Sequence, residues 1–370
     1  MNTLSDLTLT SSGRDMSGWT KIRMTRGLER MVSDFDIEMT DGYSAFQHGL
    51  MIKPGDPCEI RLGGQLVITG YIDRVIPSIA AHRHAIRVTG RSKCEDLVDC
   101  GIDLLGSQIS SASVLDVARL LSKPYGVTVN AADDSAKTTI LRQQNVLFGE
   151  TVFDVIERNC RFAGLLAYDR PDGSLLLSRV SDKNVGALDA QHVEQGWYEW
   201  SMDQRYSEYR AMAQSMSVLS DLGDGGGLIF KIPDPGVPRK RIHYIVAESN
   251  ELSPLPDGSS IIQRRALWEA KRRLARSHIL SLRVDTWLAP DGNLWEPNTQ
   301  ISVDPLALSG LKLEILKRPS NGWTIGEVTY LRDVDRGTTA ILTLSLPDAY
   351  NVQPFNPYAQ WADIQPGVPL

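Results

Sequence analysis

Short segments of alternating apolar and polar residues dominate the chain between residues 19 and 90. Alternation with a period of two is typical of a half-buried β strand, and glycine or proline separates one segment from the next. Strands of this length and spacing favour a small antiparallel barrel or sandwich. The predicted strands are residues 19–26, 33–40, 58–64, 65–77 and 85–90.

The pattern changes to helical periodicity between residues 101 and 180. Two amphipathic helices are predicted, and the apolar stripe of the second includes Cys160, which we therefore expect in a core. A hairpin turning at residues 171–173 should follow the second helix, so this segment predicts a compact α+β domain. The helix starts are marked by the capping pairs Ser113 with Asp116 and Thr151 with Asp154.

Strand-like segments return at 190–220 and 281–346, and one clear helix is predicted between them at 260–277. Six arginine and lysine residues cover most of this helix, and one interpretation is that they bind nucleic acid. A solvated or acid-paired surface is favoured instead, because the chain as a whole is acidic. The predicted inward face of the helix is Ala266, Leu267, Ala270 and Leu274.

Two similarities indicate that the β regions are related to each other. Residues 68–88 and 324–346 each contain a glycine, Gly70 or Gly326, followed by a strand, a polar turn and a return strand. Residues 19–39 and 200–218 each contain a strand led by tryptophan, a polar interruption and a second strand. Two similarities in the same order predict two related barrels, the second of them interrupted by an insertion.

The predicted fold class is therefore α+β and multidomain, with two related antiparallel β-barrels, the second one discontinuous, plus two smaller α+β domains. The predicted units are a first tube-like barrel (1–97), an α+β domain (98–185), a second, split barrel (186–220 and 281–348), an inserted α+β segment (221–280) and an extended C-terminal arm (349–370).

Composition and charge narrow the possible functions. The 370 residues are 42% hydrophobic and 23% charged with a net charge of −6, so no overall positive field is present to attract nucleic acid or an anionic membrane. No apolar run approaches the roughly 20 residues of a membrane helix, and no secretory signal is visible at the N-terminus. With only four cysteines, we expect a chain made in a reducing cytoplasm.

The segment most suggestive of chemistry is residues 80–100, which contain His82, His84, Cys94 and Cys100. The two histidines would share one face of a strand, as metal ligands can. The cysteines, however, lack the close spacing that structural zinc sites favour. Metal binding is therefore the less favoured interpretation.

A strand followed by a short helix accounts for the same segment. Ser92 and Glu95 form a capping-box pattern, which predicts a helix over residues 93–99. Cys94 would then be a small buried apolar group, and the two histidines would lie in the loop before the strand. Neither a metal site nor a cofactor site is predicted.

Catalytic motifs are also missing from the sequence. It contains neither a His-Glu-x-x-His nor a Gly-x-Ser-x-Gly pattern. The glycine-rich residues 223–227 lack the lysine and hydroxyl residue of a phosphate-binding loop, and they predict a connection instead. No residue is predicted to be catalytic, and we do not expect an enzyme.

Residues 53–75, 88–100, 149–180 and 206–210 form four stretches with a shared pattern. In these stretches the chain resembles the baseplate hub proteins of Mu-like phages, and more distantly the T4 hub and the N-terminal part of type VI secretion VgrG proteins. The resemblance, with the domain order, covers most of the chain and implies two tube-type barrels and two smaller domains assembled as a ring-shaped trimer. The family has no shared active site to carry over.

The resemblance implies a virion protein of the tail baseplate, made and assembled in the cytoplasm of the bacterial host. A trimer whose subunits each carry two similar barrels would present six similar units, and could adapt a six-fold tail tube to a three-fold spike. The implied partners are the homotrimer, the central spike, the tail tube and other baseplate proteins, with no sequence-specific nucleic acid and no membrane insertion. A partner-docking arm is predicted from Tyr350, Phe355, Tyr358 and Trp361, with a frayed terminus as its alternative.

Two other functions stay open. A tail-associated cell-wall hydrolase would need two carboxylates facing each other across a cleft, and the acidic residues show no such pattern. A glycan- or receptor-binding β protein would expose aromatic residues on loops, whereas the tryptophans fall mostly within or beside predicted strands.

Overall fold

The computed structural model describes residues 6–40, 52–80, 83–104, 106, 108–213, 229–247, 261–311 and 322–352. The helices are α1 (Glu95–Asp99), α2 (Val114–Ser122), α3 (Ser135–Thr138), α4 (Val152–Ala163) and α5 (Ile261–Arg276). The strands are β1 (Leu7–Ser11), β2 (Arg14–Met16), β3 (Lys21–Gly27), β4 (Asp34–Thr40), β5 (Pro57–Leu62), β6 (Gln65–Ala80), β7 (Arg83–Ser92), β8 (Gln108–Ser113), β9 (Val129–Ala131), β10 (Ile140–Asn145), β11 (Leu166–Asp169), β12 (Leu175–Ser178), β13 (Asn184–Leu188), β14 (Val193–Trp200), β15 (Glu208–Ala213), β16 (Ile229–Pro233), β17 (Ile242–Ala247), β18 (His278–Val284), β19 (Gln300–Val303), β20 (Trp323–Asp333) and β21 (Gly337–Ser345).

Thirteen strands form one large sheet in the order β14-β18-β21-β20-β3-β4-β7-β6-β5-β1-β2, with β19 pairing β20 and β13 pairing β19. The antiparallel pairing of β20 with β3 sets Tyr330 opposite Met24 and joins the two β regions directly. Apolar residues from both regions share one core. A mostly β, α+β fold with several sheets is thus confirmed, and the described strands do not form a closed barrel.

The first internal similarity corresponds to two antiparallel hairpins, β6 with β7 and β20 with β21. Glycine is required in both for a steric reason. A Cβ on Gly70 would lie 1.9 Å from the backbone oxygen of Arg91, and one on Gly326 would lie 1.8 Å from the hydroxyl of Tyr350. In each hairpin another group therefore occupies the space of a side chain.

The second internal similarity does not hold in the structure. The sequence predicts that residues 186–220 belong to the second barrel. In the structure, β15 instead pairs with β16 and β17 in a separate three-stranded sheet. Tyr209 and Ala211 on β15 are fully buried with Ile262 and Ala266 of α5, and this packing draws β15 away from the large sheet.

The helical domain follows the sequence prediction closely. Ser113 accepts a hydrogen bond from the backbone of Asp116, and Thr151 forms a reciprocal capping box with Asp154. Cys160 is buried in a core made by the inner faces of α2 and α4 with β9 and β12. The predicted hairpin at residues 171–173 is the antiparallel pair β11 and β12, so these four predictions are confirmed.

The start of α1 differs from the prediction. Cys94, fully buried as expected, occupies the N-cap without a side-chain hydrogen bond, so the predicted capping box of Ser92 and Glu95 is wrong. Ser92 stays in β7 opposite Gly70, and Glu95 instead approaches Arg91 at 3.1 Å. Pairing of Ser92 within the sheet therefore prevents its side chain from capping α1.

His84 also lies elsewhere than predicted. It is the second residue of β7, opposite Ile79, because pairing of β6 with β7 continues to Ala80 and Arg83. The loop before the strand is correspondingly shorter than the sequence suggested, and His82 lies outside the described residues.

Helix α5 has the predicted extent but a different inward face. Ala266 is buried and Ala270 packs against the small sheet as expected, whereas Leu267 and Leu274 are 41% and 38% exposed. The helix contacts a sheet on one side and the short helix Pro347–Ala349 on another, which rotates its buried surface toward Ile262 and Ala275. A single apolar stripe could not anticipate two packing partners.

Candidate assembly surfaces

The basic side of α5 holds the last described part of the chain. The indole nitrogen of Trp268 and Nη1 of Arg272 donate to the backbone oxygen of Asn351 at 2.9 and 3.1 Å, and Nε of Arg276 donates to the backbone oxygen of Ala349 at 3.0 Å. Arg272 and Arg276 also pair with Glu29 after β3. Arg273 pairs with Glu269 on the same helix, so Arg272, Arg273 and Arg276 are all engaged with acidic or carbonyl groups.

Tyr350 has a structural role rather than an exposed one. Its side chain is 8% exposed and lies in a small core with Leu28, Tyr168 and Ala275, under the space left by Gly326. It anchors the end of the described chain. The other residues of the predicted docking arm, Phe355, Tyr358 and Trp361, lie outside the described residues, and their contact with a partner stays a prediction.

A groove of about 700 Å³ separates α4 from α5. Its floor is apolar and includes Leu28, Met31, Leu165 and Leu166. Its walls carry more basic than acidic groups, and Val352 also lines it. The wall arginines are Arg158, Arg161, Arg265 and Arg272, and the acidic residues are Glu29 and Glu157.

A second groove, of about 550 Å³, lies between α5 and the outer side of β14, β18 and β21. Here charges of both signs alternate, with three arginines of α5 facing the carboxylates of Glu29, Glu199, Asp203 and Glu269. Mixed charge of this kind suits a polar protein contact better than a single anionic or cationic ligand.

Large apolar side chains are exposed at two further places. Phe148 is fully exposed and Leu147 is 64% exposed in the loop before α4. This loop is held firmly, because Glu150 accepts from the backbone nitrogen of Leu147 and pairs with Arg158. Trp197 and Trp200 are 43% and 52% exposed on β14, which ends the large sheet among the described strands.

The surroundings of the cysteines disfavour the reactive thiolate form. Burial raises the pKa of the Cys58 thiol to about 12, and burial also raises the pKa values of Cys94 and Cys160. All four cysteines are free thiols. Within the described ranges, no three His, Cys, Asp or Glu side chains come together in a way that could hold a metal ion, and no helix there could span a membrane.

An acidic cluster surrounds Arg91, at the end of β7. Arg91 lies within 3.1 Å of carboxylate oxygens of Asp73, Glu95 and Asp99. Burial raises the pKa of Glu95 to about 7, with Asp73 adding to the effect and Arg91 opposing it. Its stabilising contribution is therefore fully present below pH 4.5 and is lost as the pH rises through about 7.

We expect Glu95→Gln to remove this pH dependence. The free energy of unfolding of the unchanged protein should fall by about 1–2 kcal/mol between pH 5 and pH 8, since one pKa unit corresponds to about 1.4 kcal/mol and solvent near this partly buried carboxylate screens part of the effect. Urea titrations at both pH values measure the difference. Glu59→Gln, at a half-exposed carboxylate, is the matched control; an unchanged pH slope in Glu95→Gln would exclude Glu95 as its source.

Comparison with known proteins relates the chain to baseplate proteins of phage tails. Residues 6–92 match the N-terminal domain of the Mu phage baseplate assembly protein GpP-like family, and residues 94–179 match the second domain of the gp44-like baseplate hub proteins. The baseplate hub protein gp44 of Escherichia phage Mu is 30% identical over 305 residues, which cover 80% of this chain and 78% of that protein.

Solved structures extend the similarity to the whole fold. The 43 kDa tail protein of prophage MuSo2 from Shewanella oneidensis is 29% identical with a TM-score of 0.76, over 94% of this chain and 100% of that one. A tail protein of Neisseria meningitidis MC58 is 21% identical with a TM-score of 0.72, over 93% and 99% of the two chains. An Escherichia coli type VI secretion component shares the fold at 12% identity and a TM-score of 0.53, over 94% and 79%.

The fold is therefore that of a class of phage tail proteins, and a type VI secretion component shares it. Within this class, the chain belongs to the baseplate hub family of Mu-like phages. This confirms the resemblance seen in the sequence, and it makes the chain a baseplate hub protein of a phage tail. Its relatives are structural components of baseplates.

Sequence reasoning missed most of the surfaces described above. The exposed Leu147 and Phe148 sit between a polar strand and Gly149, and an apolar pair before a glycine was the available signal. The two grooves form where α5 packs against elements that are distant in sequence, so no local sequence pattern predicts them.

Proposed function

We propose that the protein forms a homotrimeric ring that adapts the six-fold tail tube to the three-fold central spike. The observation that carries this proposal is the pair of similar hairpins, β6–β7 and β20–β21, within one chain. A plain trimer offers three equal sites, whereas three chains with two related β units each offer six. The two halves need only be similar enough to accept equivalent contacts.

The proposed domain boundaries are those predicted from the sequence, with one change. The first β unit is 1–97, the α+β domain is 98–185, and the second β unit includes β14 and β18–β21. The inserted unit would begin at β15 rather than at residue 221, because β15 belongs to the sheet that packs on α5. We propose each β unit as one tube-like barrel of the assembled ring.

In this proposal one face of the ring binds the tail tube and the other binds the spike, with further baseplate proteins around it. Assembly would take place in the cytoplasm of the bacterial host before the chain becomes part of the virion. The role is mechanical, without catalysis, and the family relationship to structural hub proteins supports it. Permanent contacts between subunits should bury upward of about 2,000 Å².

The exposed tryptophans of β14 are candidates for these subunit contacts. Aromatic side chains at the centre of an interface contribute much of its binding energy. An edge strand that carries two of them is suited to meet another chain.

Light scattering across a concentration series tests the oligomeric state. Three chains of 41.0 kDa should give a stable particle of about 123 kDa. A particle of 41.0 kDa at high concentration, unchanged by addition of the spike protein, would contradict the proposal.

A further inference from the structure

We propose that the groove between α4 and α5 is the docking site of the chain's own C-terminal segment, residues 353–361 of the same molecule. This inference does not depend on the oligomeric state, since all its contacts lie within one chain. It gives the predicted arm a specific binding surface in place of an external partner.

The position of Val352 is the first support. Val352 lines the groove and packs against the small core that contains Leu28 and Tyr350. The preceding carbonyl, that of Asn351, is fixed by Trp268 and Arg272, which also line the groove. The chain is thus held at the groove where residue 353 begins.

The composition of the groove is the second support. Its apolar floor, which includes Leu28, Leu165 and Leu166, is well suited to aromatic side chains. Its walls offer guanidinium groups already used in this way, since Arg265 and Arg272 lie 4.7 and 5.2 Å from the ring centre of Trp268. An arginine over an aromatic ring is a favourable contact that further rings could share.

The sequence of the segment is the third support. Phe355, Tyr358 and Trp361 recur every third residue, and Pro354 and Pro357 immediately precede the first two of them. A proline-rich segment favours the polyproline II conformation, which has three residues per turn, so it would place the three rings along one edge. The segment therefore presents an aromatic edge to an apolar floor.

Charge agrees with the same assignment. Residues 353–370 contain one side chain that is charged at neutral pH, Asp363, two residues beyond the docked segment, while the walls of the groove carry four arginines and two glutamates. A weakly acidic segment is attracted to a net basic wall.

Limited proteolysis of the full chain with chymotrypsin tests the proposal, because this protease cleaves after the three aromatic residues. We expect cleavage after Phe355, Tyr358 and Trp361 to be at least about tenfold slower than in a synthetic peptide of residues 353–370, because a docked segment is cut only when it is released. Ala167→Glu, which places a carboxylate inside the groove, should speed cleavage of the chain toward the rate of the peptide.

The matched control is Ala187→Glu, at an exposed position of β13 outside the groove, which should leave the slow rate unchanged. Arg161→Glu, at the exposed rim of the groove, is a second groove variant should Ala167→Glu fail to fold. Equal cleavage rates in the unchanged chain and in the peptide would overturn the proposal. So would protection that disappears on dilution, because that result would assign the docking site to a second copy.

Discussion

Asp169→Ala is expected to lower the free energy of unfolding by about 3–5 kcal/mol, as is typical when one member of a buried charged network is removed. The Asp169 side chain, at the end of β11, is 3% exposed and accepts from both the backbone nitrogen and the hydroxyl of Ser33, each at 2.9 Å. Burial raises the pKa of Asp169, while nearby Arg26 opposes that shift. Alanine would leave the Ser33 donors and the Arg26 charge buried without this acceptor.

The position of Asp169 makes this effect informative. β11 belongs to the α+β domain, and Ser33 immediately precedes β4 of the large sheet, so the carboxylate joins the two. Urea unfolding followed by circular dichroism measures the loss, and Asp134→Ala, at a highly exposed carboxylate of the same domain, should change stability by less than about 0.5 kcal/mol. Equal effects of the two variants would show that Asp169 does not join the domain to the sheet.

Arg205→Met should be comparably destabilising, by about 3 kcal/mol, and its effect should be concentrated in the inserted sheet. Arg205 is 4% exposed and binds both carboxylate oxygens of Asp234, at 3.0 and 2.9 Å. Gly236 provides the space for the guanidinium, since a Cβ there would lie 2.5 Å from Nη2. Methionine fills part of that volume but leaves the Asp234 carboxylate without its ion-pair partner.

Hydrogen exchange measured by mass spectrometry shows which strands Arg205→Met destabilises. Exchange should accelerate in β15, β16 and β17 and stay unchanged in the core strands β3 and β4. Arg239→Met, at an exposed residue between β16 and β17, is the control and should exchange as the unchanged protein does. Uniform acceleration over the whole chain would mean that the inserted sheet does not unfold separately.

Elements determined by nearby residues could be predicted from the sequence. The caps at Ser113 and Thr151 and the turn at residues 171–173 depend on contacts within a few positions, and each formed as expected. The buried Cys160 followed from the helical stripe of α4 in the same way.

Elements determined by distant partners could not be predicted. β15 has the alternation of any half-buried strand, but α5 and β17, more than 30 residues later, decide which sheet it joins. The exposure of Leu267 and Leu274 follows from the contact of α5 with the short helix Pro347–Ala349, about 75 residues away in sequence. Ser92 has the composition of a cap, and the ladder with β6 overrides it.

The assembly surfaces had the weakest sequence signal. Tyr350 belongs to the aromatic series of the arm but is buried under Gly326, and only the fold separates it from Phe355, Tyr358 and Trp361. The basic side of α5 is the exception, because the acid-paired surface favoured by the sequence is confirmed: its arginines pair with Glu29 and also donate to the carbonyls of residues 349 and 351.

Electron microscopy of the purified chain tests the central claim most directly, because it shows the number of β units around the axis. End-on class averages should show a closed ring with three-fold symmetry and six similar lobes around a central opening. A ring with three lobes, or one whose alternate lobes differ grossly in size, would contradict the idea that two related β units per chain convert three-fold into six-fold symmetry.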